Sequence, residues 1–135
     1  MAKVLVSPLL PASALELLRR HHDVEGGVEP MGLGHAALLA RIAGADAVIV
    51  RGSERLDDAV LERAPSLRIV ANCAVGVDNI DVAACHRRGI LVTNTPDVLT
   101  DATADFTFAL ILAASRRVAE GDRLVRSGGW RGFSL

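Results

Sequence analysis

An apolar run over residues 68–73 breaks at Ala74, Val75 and Gly76 into a polar turn, and a helical stretch from about Asp81 closes at Gly89 before a second apolar run, 90–93. Two short hydrophobic strands linked by one helix have a common solution, the parallel βαβ unit, because parallel neighbours need a crossover that returns the chain to the same end of the sheet. No other stretch restricts the fold as strongly. In such units ligands sit outside the carboxyl ends of the strands, which here are residues 73–76 and 94–96.

The earlier part of the chain repeats the alternation. Residues 3–6 form a β-rich run, followed by Ser7 and Pro8. Ser13 and Glu16 have capping-box spacing, and Leu15, Leu17 and Leu18 give an apolar stripe before Arg19 and Arg20. A short strand over 23–25 suits a sheet edge. A helix over 35–43 leads to the β-branched run 47–50, expected to be a central strand. Asp57 can cap a further helix that ends at Ala64 and Pro65, since proline cannot continue a helix. The resulting β-α-β-α-β-α-β-α-β order predicts a flavodoxin-like, doubly wound parallel sheet of five strands, order 2-1-3-4-5, with a long C-terminal helix.

That last helix is expected over 100–126. Residues 106–114 carry no charge, and a helix that is apolar all round is buried on more than one side. It is expected either to pack on its own sheet and meet a second copy of the chain in a homodimer, or to lie between domains. Ser127, Gly128 and Gly129 then form a hinge that lets Trp130 and Phe133 dock. The domain expectation is a substrate-side domain over 1–99, the helix over 100–126 and a tail over 127–135.

Composition agrees with a buried parallel sheet: 50% of the 135 residues are hydrophobic and only 3% aromatic. A net charge of -1 offers no general attraction to nucleic acid or to an anionic membrane, both of which require a basic excess. Cys73 and Cys85 form no CxxC and have no histidine cluster beside them, so no metal site is expected and a reduced, cytoplasmic protein is. The start of the chain shows no secretory pattern of basic, apolar and small residues.

Chemistry-bearing residues gather at the predicted strand ends. The backbone N–H groups around Val75, Gly76 and Val77 suit a small anion nest, with Gly76 supplying backbone freedom; the plainer reading is a turn. Arg51 could hold a carboxylate bidentately or stand as a solvated loop charge. Asp78 and Asp81 read as turn and cap residues rather than an acid/base pair. Cys73 reads as a small buried hydrophobe. The string from Gly32 to Ala37 formally matches GxGxxA, the dinucleotide fingerprint. Its context is wrong, because no strand precedes it and the strand after the next helix ends in Arg51, where a ribose-binding acid belongs.

Val75-Gly76-Val77-Asp78-Asn79-Ile80-Asp81, then Arg88-Gly89-Ile90, Asn94-Thr95-Pro96 and Thr103-Ala104-Asp105, together resemble the D-isomer-specific 2-hydroxyacid dehydrogenases, most of all their glyoxylate/hydroxypyruvate reductase branch. The resemblance implies hydride transfer between NAD(P)H and a 2-oxo acid in the complete enzyme. It carries the substrate carboxylate to the backbone at Ala74, Val75 and Gly76, with Arg51, Gly52 and Ser53 closing over it. Val75 and Thr103 would approach the nicotinamide end of the cofactor. The family's catalytic histidine, glutamate and arginine, and its cofactor-binding Rossmann domain, map onto no residue here. This chain alone is therefore expected to hold no cofactor, to be inactive, and to bind a small 2-oxo or 2-hydroxy carboxylate weakly. The alternative is an autonomous flavodoxin-like module that dimerises through its last helix.

Overall fold

Short β-branched runs form the strands because they bury both faces of a sheet, and helices between them supply the crossovers. The computed structural model describes residues 1–133; the last two residues of the expected 127–135 tail lie outside the described residues. The strands are β1 (Lys3–Val6), β2 (Asp23–Gly26), β3 (Ala47–Val50), β4 (Ile69–Asn72) and β5 (Leu91–Thr93). They make one parallel sheet of order β2-β1-β3-β4-β5, the order read from the sequence. Between them run α1 (Ala12–Arg19), α2 (Gly34–Arg41), α3 (Asp58–Glu62) and α4 (Val82–Arg87).

Alternation along each strand divides the core between two faces. Leu5, Val48, Val50 and Val70 point to one face, where Leu38 and Ile42 from the α2 region, Val60 and Leu61 of α3, and Ala84 and Cys85 of α4 pack. Val4 and Val6 point to the other, against Leu15 of α1 with Leu10 and Leu18 beside it. Asp57 and Asp81 cap α3 and α4 as expected, accepting from the N–H of Val60 at 3.2 Å and of Ala84 at 2.8 Å. Ser13 does not cap α1. The helix begins two residues earlier than that cap implies, after Pro11, whose fixed φ of -54° leads into the first turn without a side-chain cap.

The chain divides into two compact units, Met1–Pro96 and a second from Asp97 onward. The expected single helix over 100–126 is corrected in the second unit to two, α5 (Thr100–Ser115) and α6 (Val118–Arg126). Ser115 Oγ donates back to the Leu112 carbonyl at 3.2 Å, which competes with the backbone ladder. Arg117 then turns left-handed, at φ 54° and ψ 36°, and its side chain pairs with Glu120 in the first turn of α6. No residue of α5 is buried; Phe106 is 64% and Ile111 56% exposed. Trp130 and Phe133 are exposed too. Among the described residues no helix is long and apolar enough to cross a membrane.

Candidate functional site

The turn after β4 has a definite polarity. Its carbonyls are all taken from within the chain: Ala74 O accepts from Thr95 N–H at 3.0 Å, and Val77 O from Ile80 N–H at 2.9 Å. Val75 O accepts from Asn94 Nδ2 at 2.8 Å, and Gly76 O from Asn72 Nδ2 at 2.8 Å. Each peptide is planar and trans, so a carbonyl tied inward turns the next N–H outward. Among the described residues, no acceptor in the chain takes the N–H of Val75, Gly76 or Val77. Successive N–H groups without an internal acceptor are donors that a small anion could use.

Gly76 does not use the backbone freedom expected of it. Its φ does not lie in the left-handed region. A Cβ at this position would stand 3.1 Å from Asp78 Oδ2, a tight contact that the exposed Asp78 side chain can relieve by a small shift. Asp78 is exposed in the turn, and Asp81 is engaged as the cap of α4, so neither forms an acid/base pair.

The loop after β3 lies against this turn, with a Cβ built on Gly52 coming within 3.9 Å of the Ala74 Cβ. Asn79 ties the two together, its Nδ2 donating to Arg51 O at 3.1 Å and to Glu54 O at 2.9 Å. Asn72 Nδ2 lies 3.3 Å from Asn79 Oδ1 and closes the web. The Arg51 side chain makes three hydrogen bonds within the chain. Its Nε donates to Ser53 Oγ at 2.9 Å, and its terminal nitrogens donate to Pro30 O at 3.3 Å and Met31 O at 2.6 Å.

Ser53 and Gly52 remain exposed beside the turn. Thr103 belongs to the second unit, where its N–H bonds to Leu99 O and its carbonyl accepts from Thr107 Oγ1. Cys73 is exposed as a residue rather than the buried hydrophobe expected, yet desolvation pushes its thiol pKa up, the opposite of an activated nucleophile. Among the described residues no cluster of three or more histidine, cysteine or acidic residues could hold a metal.

The Gly32 loop does not suit a dinucleotide. A side-chain atom at Gly32 would overlap the carboxyl of Glu54, so an acid occupies the place where a pyrophosphate would need donors. Sequence reasoning missed Glu54, Asn72 and Asn79 as site residues. The asparagines carried a faint signal in their positions at strand and turn ends. Glu54 carried none, since its burial depends on a distant loop.

An open parallel sheet of order β2-β1-β3-β4-β5 with helices between its strands places the chain in the doubly wound α/β class. Residues 4–122 match the family model described as D-isomer specific 2-hydroxyacid dehydrogenase, catalytic domain, and the chain belongs to that family. It is 50% identical over 129 residues to the glyoxylate reductase of Thermococcus kodakarensis, covering 96% of this chain and 39% of the relative. It thus spans about two fifths of the length of the curated relatives it matches. Among solved structures, a Thermus thermophilus protein superposes with a TM-score of 0.85 at 45% identity, covering 98% of this chain and 42% of its own. A Sinorhizobium meliloti NADPH-dependent glyoxylate/hydroxypyruvate reductase, in complex with NADP and malonate, matches with a TM-score of 0.77 at 32% identity, covering 99% and 41%.

Proposed function

We propose that this chain supplies the 2-oxo-carboxylate-binding part of a glyoxylate/hydroxypyruvate reductase-like enzyme, and that it turns over no substrate by itself. The observation that carries this reading is the set of unbonded N–H groups at Val75, Gly76 and Val77, each in a peptide whose carbonyl is tied to Thr95, Asn94 or Asn72. A carboxylate would be received there by charge-assisted hydrogen bonds. Gly52 and Ser53 would border the rest of a small 2-oxo acid, with Arg51 holding the loop in shape. In a complete enzyme, Val75 and Thr103 would face the nicotinamide, which supplies the hydride. Binding, orientation and exclusion of water are the tasks assigned to this chain's residues.

Glyoxylate titration followed by backbone amide shifts tests the reading, with NADH absorbance followed in parallel. Shifts centred on Val75, Gly76 and Val77 with no NADH oxidation are expected. Asn94→Ala, which releases the Val75 carbonyl, should weaken glyoxylate binding by about tenfold, the worth of one well-placed hydrogen bond. Turnover by this chain, or shifts confined to another surface, would sink the proposal.

The exposed apolar residues of α5, among them Phe106, Phe108 and Ile111, favour a second role in assembly. A homodimer through residues 100–126 is the reading, and sedimentation equilibrium over a range of concentrations decides it. A monomer at every concentration rules it out.

A further inference from the structure

Glu54 is 1% exposed and pairs with no arginine, lysine or histidine among the described residues. A buried carboxyl without a cation is costly unless its oxygens are satisfied by hydrogen bonds. Here they are, and by a particular set. Oε2 accepts from the Arg51 N–H at 2.9 Å, and Oε1 from the Ser53 hydroxyl at 3.2 Å. One carboxyl therefore holds both ends of the Arg51-Gly52-Ser53 tripeptide.

A second loop seals it from above. Gly32, at φ +76°, passes so close to Glu54 Oε1 that any side chain there would overlap it. Leu33 N–H donates to the buried Ser7 Oγ at 2.9 Å, and the Arg51 guanidinium grips the Pro30 and Met31 carbonyls. The glycine that formally belongs to a dinucleotide motif thus has a local cause: the carboxyl beneath it.

We propose that Glu54 is a positioning residue, whose buried carboxyl, sealed by the Gly32 loop, sets Arg51, Gly52 and Ser53 beside the carboxylate-binding turn. The inference rests on the 2-oxo-acid reading above for what the tripeptide is positioned to meet. The latch itself is tested without ligand.

The experiment compares the 135-residue chain with Glu54→Ala and Glu54→Gln by amide hydrogen exchange and by amide shifts, with glyoxylate as the probe. In Glu54→Ala the Arg51 amide should exchange about tenfold faster. The Cys85 amide, bonded to Asp81 O at 2.9 Å in α4, should be unchanged. Glu54→Gln should restore protection, since its amide oxygen can still accept from Arg51 and its amino group can donate to Ser53 Oγ. Glyoxylate should still move Val75, Gly76 and Val77 in Glu54→Ala but no longer Gly52 and Ser53. Equal acceleration at Arg51 and Cys85, or an Arg51 amide as protected as in the parent, overturns the proposal. Should Glu54→Ala not fold, Ser53→Ala at an exposed position removes one of the two bonds, and must speed Arg51 while sparing Cys85. If glyoxylate moves nothing in the parent chain, the carboxylate reading fails, and exchange rates alone decide the latch.

Discussion

Asn79 shows how one side chain can organise two loops. Its amide donates to two carbonyls of the loop after β3, while its own backbone carbonyl accepts from Leu56 N–H at 2.8 Å. Asn79→Ala strands both loop carbonyls, and a loss of about 1–3 kcal/mol is expected, read as a lower urea midpoint. Asn79→Asp should cost more, because a carboxylate oxygen would face carbonyl oxygens. Arg51 illustrates what sequence leaves open at this scale. Its type and place at a strand end allowed a carboxylate clamp or a solvated charge, but could not show that its terminal nitrogens reach carbonyls some twenty residues earlier. Residue type states what a group can bond, and the fold states what is in reach.

At the scale of elements, local signals were read well where they were local. The five strands, the caps at Asp57 and Asp81 and the end of α4 at Gly89 all follow from neighbours in sequence. Asp81→Ala should lower stability by about 1 kcal/mol, the usual worth of an N-cap, measured by denaturant unfolding. Leu38 anchors α2 on the sheet and is fully buried, so Leu38→Ala should cost about 2–5 kcal/mol in the same assay. The break between α5 and α6 was not legible, since serine and two arginines are acceptable helix residues by propensity. Left-handed backbone at Arg117 costs a residue with a side chain about 1–2 kcal/mol. Arg117→Gly should therefore raise amide protection in α6, provided that the exposed Arg117–Glu120 pair contributes little.

Across the whole molecule, titration of the two thiols links stability to alkaline pH. Desolvation raises the Cys73 pKa above its ordinary 9.0. Burial likewise raises Cys85, reinforced by Asp81 and opposed by Arg88. An acid with a raised folded pKa stays protonated in the native state while the unfolded chain has begun to ionise. Stability is then complete below the ordinary value and falls as pH rises through the window above about 9. Urea midpoints at rising pH should show this fall, and it should shrink in the Cys73→Ser, Cys85→Ala double variant. By itself the sequence determined the strand count, the parallel order, the family and the turn at Val75 and Gly76, because periodicity, capping and contiguous motifs act over a few residues. The tertiary structure alone decided that Glu54 is buried beneath Gly32, that Asn72 and Asn94 hold the Gly76 and Val75 carbonyls, and that Arg51 grips the 30–31 carbonyls. Such contacts join segments some twenty residues apart, as in the Arg51–Pro30 bond, and exist only once the sheet brings its strand ends together.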